Sequence, residues 1–160
     1  MPTTRHRRYY DRVAQKYSEM LSSGIGGAMK RRERDCLIGL LSPRTGEKVL
    51  DVGCGSGYYA KLIRHSGAEI LCVDISPEMV NVVRSSGIEA EVHDVESLNI
   101  NRTFDKILCA GPLEFTRSPA RALANLRNHL RNDGYIVVSF LNVSIFGFAY
   151  WLYHLSHGVR

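Results

Sequence analysis

Val49-Leu50-Asp51-Val52-Gly53-Cys54-Gly55-Ser56-Gly57 is the stretch on which the fold turns. Lys48 to Val52 reads as a short strand buried on both faces, because it lacks polar alternation. It opens into a loop with glycine at every second position. Such a loop turns sharply and brings backbone N–H groups close to a ligand. A phosphate loop of the G-x-x-x-x-G-K-[ST] type would need a lysine that is missing here, and a dinucleotide loop would read G-x-G-x-x-G, whereas this one reads G-x-G-x-G. Asp51 separates the readings. A carboxylate two residues before the first glycine repels a pyrophosphate and suits a ligand with a positive centre or an ammonium group.

Outward from this loop the chain alternates regularly. A helix is expected over about 58–65, with Gly67 as its left-handed cap. A second strand follows over 69–73. Ser76-Pro77-Glu78 has the grammar of a helix start: a hydroxyl at the cap, proline at the first position and an acid in the first turn. That helix ends at Gly87. A third strand spans 88–93 and a fourth 104–110. Ser118-Pro119 begins another helix, which runs to about 131, and Asp133-Gly134 turns into a fifth strand over 135–141. On the amino-terminal side, 9–20 reads as one helix and 28–41 as another, with Ser22 to Gly27 as a hinge between them. Strands alternating with helices imply a parallel sheet with right-handed crossovers, an open, doubly wound α/β fold. Ligands of such sheets bind outside the carboxyl ends of the strands.

Two more acids sit at strand ends. Asp74 closes the second strand, where it can accept both hydroxyls of an adenosine ribose. Asp94 closes the third, where it can accept from an exocyclic amine such as that of adenine. Each also reads as a helix cap or a solvated loop acid, but three acids at three successive strand ends behind this loop point to one ligand.

Asp51 to Gly57, Val73-Asp74, His93-Asp94-Val95, Phe104 to Leu108 and Asp133 to Val138 together resemble the class I S-adenosylmethionine-dependent methyltransferases over about residues 46–142. Tyr9 to Tyr17 resembles the amino-terminal helix of small-molecule members, the quinone-biosynthesis and lipid methyltransferases among them. The resemblance implies S-adenosylmethionine as cofactor, S-adenosylhomocysteine as product, and a Rossmann-like sheet. It implies that Gly53, Cys54, Gly55 and Gly57 pass under the methionine part, with Asp51 ordering that end. Asp74 would bind the ribose and Ile75 pack on the adenine. Asp94 would bind the adenine amine with Val95 beside it. Ala110 and Gly111 would line the site near the methyl sulfur, and Tyr10 or Tyr17 would close it. Ile75 and Val95 also read as core residues. The implied division is a helical lid segment over 1–45, the cofactor domain over 46–142 and an apolar aromatic helix over 143–160.

Composition narrows the function classes. The 160 residues are 44% hydrophobic and 23% charged, enough for one core and against disorder. Four cysteines without a C-x-x-C pair argue for reduced thiols in a cytoplasmic protein and against a zinc cluster. The net charge of +5 resides at the amino terminus: nine Lys/Arg against three acids through residue 34, then twelve against thirteen. That basic arm reads first as a solvated helix face, and second as a contact for an anionic surface.

The segment after the fourth strand, Cys109 to Phe115, lacks the Asn/Asp-Pro-Pro-Tyr/Phe pattern of the methyltransferases that act on exocyclic amino groups. The expected acceptor is therefore a small apolar or lipid-like molecule. DNA is not expected, RNA is disfavoured, and peripheral membrane contact and a homodimer are the further partner expectations. No catalytic base and no metal site declare themselves. Glu114 is a candidate polar contact that reads first as a solvated loop acid. His93 and His154 show no dyad partner. The related sheets have seven strands and this chain reads as five, which implies a piece of a longer gene product or a partner that completes the sheet. The alternatives are a non-catalytic cofactor-binding domain acting as a partner subunit, and an RNA or protein methyltransferase using the basic arm.

Overall fold

A computed structural model describes residues 7–14 and 24–140. The order is helix α1 (residues 7–14), α2 (Gly24–Leu41), β1 (Lys48–Val52), α3 (Ala60–His65), β2 (Glu69–Asp74), α4 (Pro77–Ser85), β3 (Glu89–Val92), β4 (Phe104–Ala110), α5 (Pro119–Asn128) and β5 (Leu130–Ser139). Single 3-10 turns follow β3 at Val95–Ser97 and β4 at Pro112–Phe115. All four strand pairings are parallel, in the order β3-β2-β1-β4-β5. The winding reverses between β1 and β4, so the switch point lies where the glycine loop leaves β1.

The doubly wound parallel sheet expected from the alternation is therefore present. Its central strands β1 and β4 are covered on both faces. Leu50, Val52, Ile107 and Cys109 pack with Phe104, Ala122 and Leu126 on the α5 side, whereas Val49, Leu108 and Val137 pack with Leu37, Leu41 and Ile63 on the α2 and α3 side. Consecutive residues of β1 alternate between these faces, which explains its unbroken apolar run. Ser76 caps α4 by accepting the Met79 N–H, with Pro77 next and Glu78 in the first turn. Ser118 does the same for α5 through Arg121. Gly67 takes the left-handed conformation after α3, with φ +82°.

Three expectations need correction. The hinge expected over Ser22 to Gly27 is helical from Gly24 onward, and Gly27 is buried, so packing overrides the low helix propensity of glycine. The helix expected over 58–65 begins at Ala60, after a turn. Asp133-Gly134 does not precede the fifth strand but lies inside it. β5 starts at Leu130, opposite Phe104, and resumes its register with Tyr135 opposite Lys106. The extra residues form a bulge, and a side chain at Gly134 would lie 2.6 Å from the Asp105 carbonyl oxygen. The second half of the first expected helix, Tyr17 with it, and the aromatic segment over 143–160 lie outside the described residues.

Candidate functional site

The expected site residues converge on one edge of the sheet. Asp51 stands next to the end of β1, Asp74 ends β2, Asp94 follows β3 by two residues and Ala110 ends β4. The loop leaving β1 has Gly53, Gly55 and Gly57 at φ +67°, +53° and +80°, a left-handed region costly for any other residue. A side chain at Gly53 would also meet Pro112, with a Cβ-to-Cγ distance of 2.7 Å.

The loop spends its donors on itself. Gly53 and Cys54 both donate their N–H groups to the Val73 carbonyl, at 2.8 and 3.1 Å. Gly57 donates to the Cys54 carbonyl at 3.0 Å, and Gly55 donates to Asp74 Oδ2 at 2.9 Å. A phosphate-binding loop holds such groups open toward its anion. Here four of them are satisfied within the protein. The same turn leaves the Cys54 side chain in the core with Cys72, Val80 and Val83.

Asp51 is the opposite case. Its side chain is 1% exposed, and Oδ2 has no hydrogen-bond partner among the described residues. Burial first, and then the Asp74 charge, push its carboxyl up to about 7, against a smaller pull from Lys30 of α2. Lys30 is held by Glu33 at 2.8 Å and stands 5.1 Å over the Tyr59 ring. A buried, unpartnered carboxylate oxygen is costly by itself and becomes favourable beside a cationic donor. An ammonium group is the ligand chemistry that fits it.

Asp74 is also buried, and desolvation raises its pKa, against the hydrogen bonds it accepts from the Ser76 and Gly55 N–H groups. Those donors fix the plane of the carboxylate. Asp94 caps the 3-10 turn by accepting the Glu96 N–H at 2.9 Å, so the cap reading of this residue holds whatever else it binds. Val95 is packed in the α5-side core, and Ile75 is half-buried at the mouth of β2. Gly111, at φ +98°, has open space where a side chain would project, and Tyr10 stacks edge-on against Phe115 at 6.1 Å.

Two features escape a reading of the sequence. The Ser76 hydroxyl donates to Asp11 Oδ1 at 2.5 Å, tying α1 to the edge of the site across 65 residues. Ser76 reads as a cap and no more, and nothing in the pattern marks Lys30. His93, which shows no partner in the sequence, meets Glu91 at 2.9 Å on the sheet's edge strand. Among the described residues no cluster of three His, Cys, Asp or Glu side chains could hold a metal, and no helix is long and apolar enough to cross a membrane.

A doubly wound sheet whose switch-point loop has spent its N–H groups beside buried acids fits a cationic nucleoside better than a phosphorylated one. A model of the methyltransferase domain family matches residues 50–138, more than half of the chain. The chain belongs to that family, with the class I fold of the S-adenosylmethionine-dependent methyltransferases. It is 31% identical over 126 residues to the ubiquinone biosynthesis O-methyltransferase of Xylella fastidiosa strain 9a5c, an alignment that covers 74% of this chain and 51% of the relative. The chain thus spans about half the length of the curated relatives it matches. Among solved structures it resembles a TehB-like SAM-dependent methyltransferase from Corynebacterium glutamicum, with a TM-score of 0.68, 26% identity, and coverage of 95% and 83% of the two chains. The magnesium protoporphyrin IX methyltransferase of Synechocystis PCC 6803, solved with bound SAM, shares the fold at a TM-score of 0.74 and 16% identity, over 89% of this chain and 77% of that one.

Proposed function

We propose that this protein uses S-adenosylmethionine to methylate a small, apolar or lipid-like acceptor, working in the cytoplasm without a metal. The observation that carries the reading is the unpartnered, buried Oδ2 of Asp51 beside a loop whose N–H groups are already spent. In this reading Asp51 receives the ammonium of the methionine part, the turn at Gly53–Gly57 passes beneath it, Asp74 accepts the ribose hydroxyls, Ile75 lies against the adenine, and Asp94 and Val95 hold its amine edge. The cofactor supplies a methyl group already activated by its positive sulfur.

What this chain has to contribute is alignment and the exclusion of water, and positioning of that kind is worth about 7–11 kcal/mol of barrier. Ala110 and Gly111 at the end of β4 leave room on the sulfur's side of the site, and the Tyr10–Phe115 pair offers an apolar aromatic wall there. Such a wall favours an apolar acceptor, and the O-methyltransferase relatives favour oxygen as the atom methylated. A basic arm beside an apolar wall also suits an acceptor that resides at an anionic membrane surface.

The test is turnover with labelled S-adenosylmethionine against a panel of alkyl-substituted phenols and catechols, amines, and bulk RNA. Label in an alkyl phenol or catechol supports the reading. Label in RNA alone overturns the acceptor class, and cofactor binding without label in any of them favours a non-catalytic binding domain.

A further inference from the structure

Asp74 and Asp11 are bonded to opposite ends of one residue. The Ser76 backbone N–H donates to Asp74 Oδ1 at 2.9 Å, and the Ser76 hydroxyl donates to Asp11 Oδ1 at 2.5 Å. The hydroxyl also accepts the Met79 N–H, so Ser76 is fixed by α4 and cannot swing to follow either partner. Asp11 is carried by α1, where Arg7 stands 3.8 Å from its other oxygen. The preceding residue, Tyr10, stacks on Phe115, and Phe115 closes the turn whose Pro112 covers Gly53. One chain of contacts therefore runs from the ribose-side carboxylate, through Ser76 and α1, to the aromatic wall on the far side of the loop.

We propose that Asp11 is a positioning residue that couples cofactor occupancy to the hold on α1, so that the Tyr10–Phe115 wall is held more firmly once the cofactor has bound. The inference rests on the reading of Asp74 as the ribose carboxylate. Its physical basis is a difference between the two states. With the site empty, two carboxylates face each other across a single serine, and like charges in a poorly solvated setting repel. Hydroxyl donors on Asp74 draw its charge toward the ligand and relieve that repulsion, so the Ser76–Asp11 bond is stronger in the loaded state. A ligand that strengthens a contact is strengthened by it in return. Burial, and more weakly the Asp11 charge, push the Asp74 carboxyl upward, against the backbone hydrogen bonds of Ser76, Gly55 and Ile75.

The arrangement makes an asymmetric prediction for two substitutions. Asp11→Ala removes the acceptor and leaves α1 loose whether or not the site is filled. Asp11→Asn keeps an oxygen acceptor but removes the charge, so α1 should be held in both states. A residue that merely packed α1 onto the domain would show the same direction of change in both variants. Asp11 is partly exposed, with 29% of its side chain accessible, so neither variant threatens the core.

The experiment is amide hydrogen exchange of the segment 7–14, with and without saturating S-adenosylhomocysteine, beside calorimetric affinities. In the wild type the ligand should slow exchange about five-fold or more. Asp11→Ala should exchange fast in both states and lose about three- to ten-fold in affinity, and Asp11→Asn should exchange slowly in both. An unchanged rate in the wild type on ligand binding, or Asp11→Asn behaving as Asp11→Ala, overturns the coupling while leaving the cofactor site standing. Unimpaired S-adenosylhomocysteine binding by Asp74→Ala overturns the ribose assignment, and the coupling falls with it.

Discussion

Asp51 concentrates the chemistry of the site in one carboxyl group. Its ordinary pKa of 3.8 is pushed up to about 7 by burial and by Asp74. The unfolded chain therefore loses this proton first, and stability from Asp51 is full below about pH 4 and drains away as the pH rises toward 7. Asp51→Asn should raise the melting temperature of the ligand-free protein at pH 8, by about 2–4 °C for each kcal/mol recovered. The same change should weaken S-adenosylhomocysteine binding about ten- to a hundred-fold, the loss expected of one charged hydrogen bond. In the wild type the ligand's ammonium needs the ionised carboxylate, so below pH 7 binding should release a proton. Calorimetry in two buffers of different ionisation enthalpy measures that release directly. Gly53 is the second informative residue. Gly53→Ala combines a left-handed φ with a clash against Pro112, and should cost about 2–4 kcal/mol in urea unfolding while weakening cofactor binding.

Among the elements, the clearest in the sequence are those that announce their own ends. Ser76-Pro77 and Ser118-Pro119 predict two helix starts to the residue, because the capping hydroxyl and the proline act on their immediate neighbours. β1 and β4 are equally legible as apolar runs of sheet length. The β5 bulge was not, because Asp133-Gly134 is turn grammar, and only the register against Phe104 and Lys106 draws it into a strand. Lys106 was hidden for a similar reason. No local pattern marks it, yet its side chain in β4 is 8% exposed, with Nζ 2.7 Å from the Ser42 carbonyl and 2.6 Å from Glu47. This clamp joins the entrance of β1 to β4, and the Tyr135 ring of β5 lies 5.5 Å from the same ammonium. Lys106→Met should cost about 1–3 kcal/mol, less than a fully buried pair because Glu47 can be hydrated. Burial works to raise the Glu47 carboxyl, but the Lys106 and Arg44 bonds bring it below its ordinary value. Its contribution therefore has the opposite sign to that of Asp51, present above about pH 4.5 and lost as the pH falls.

At the scale of the whole molecule, a parallel sheet with its winding reversed between β1 and β4 puts every strand-end acid on one edge. That is why Asp51, Asp74 and Asp94 could be grouped from their positions alone. What remained illegible is what depends on contacts across long stretches of chain. The Ser76–Asp11 bond spans 65 residues, and the position of Lys30 near Asp51 depends on how α2 crosses the sheet. No local pattern encodes either. The loop's self-satisfied N–H groups likewise emerge only when β1 and β2 are paired, since Val73 and Asp74 supply the acceptors. That closure carries the central claim, that the site takes a cationic adenosyl compound and refuses a phosphorylated one. Titration calorimetry of the same preparation with S-adenosylhomocysteine, ATP and NAD tests it most directly. Saturable binding of S-adenosylhomocysteine, with no heat from either phosphorylated nucleotide, is the result the geometry requires. Binding of ATP or NAD in place of S-adenosylhomocysteine would contradict it.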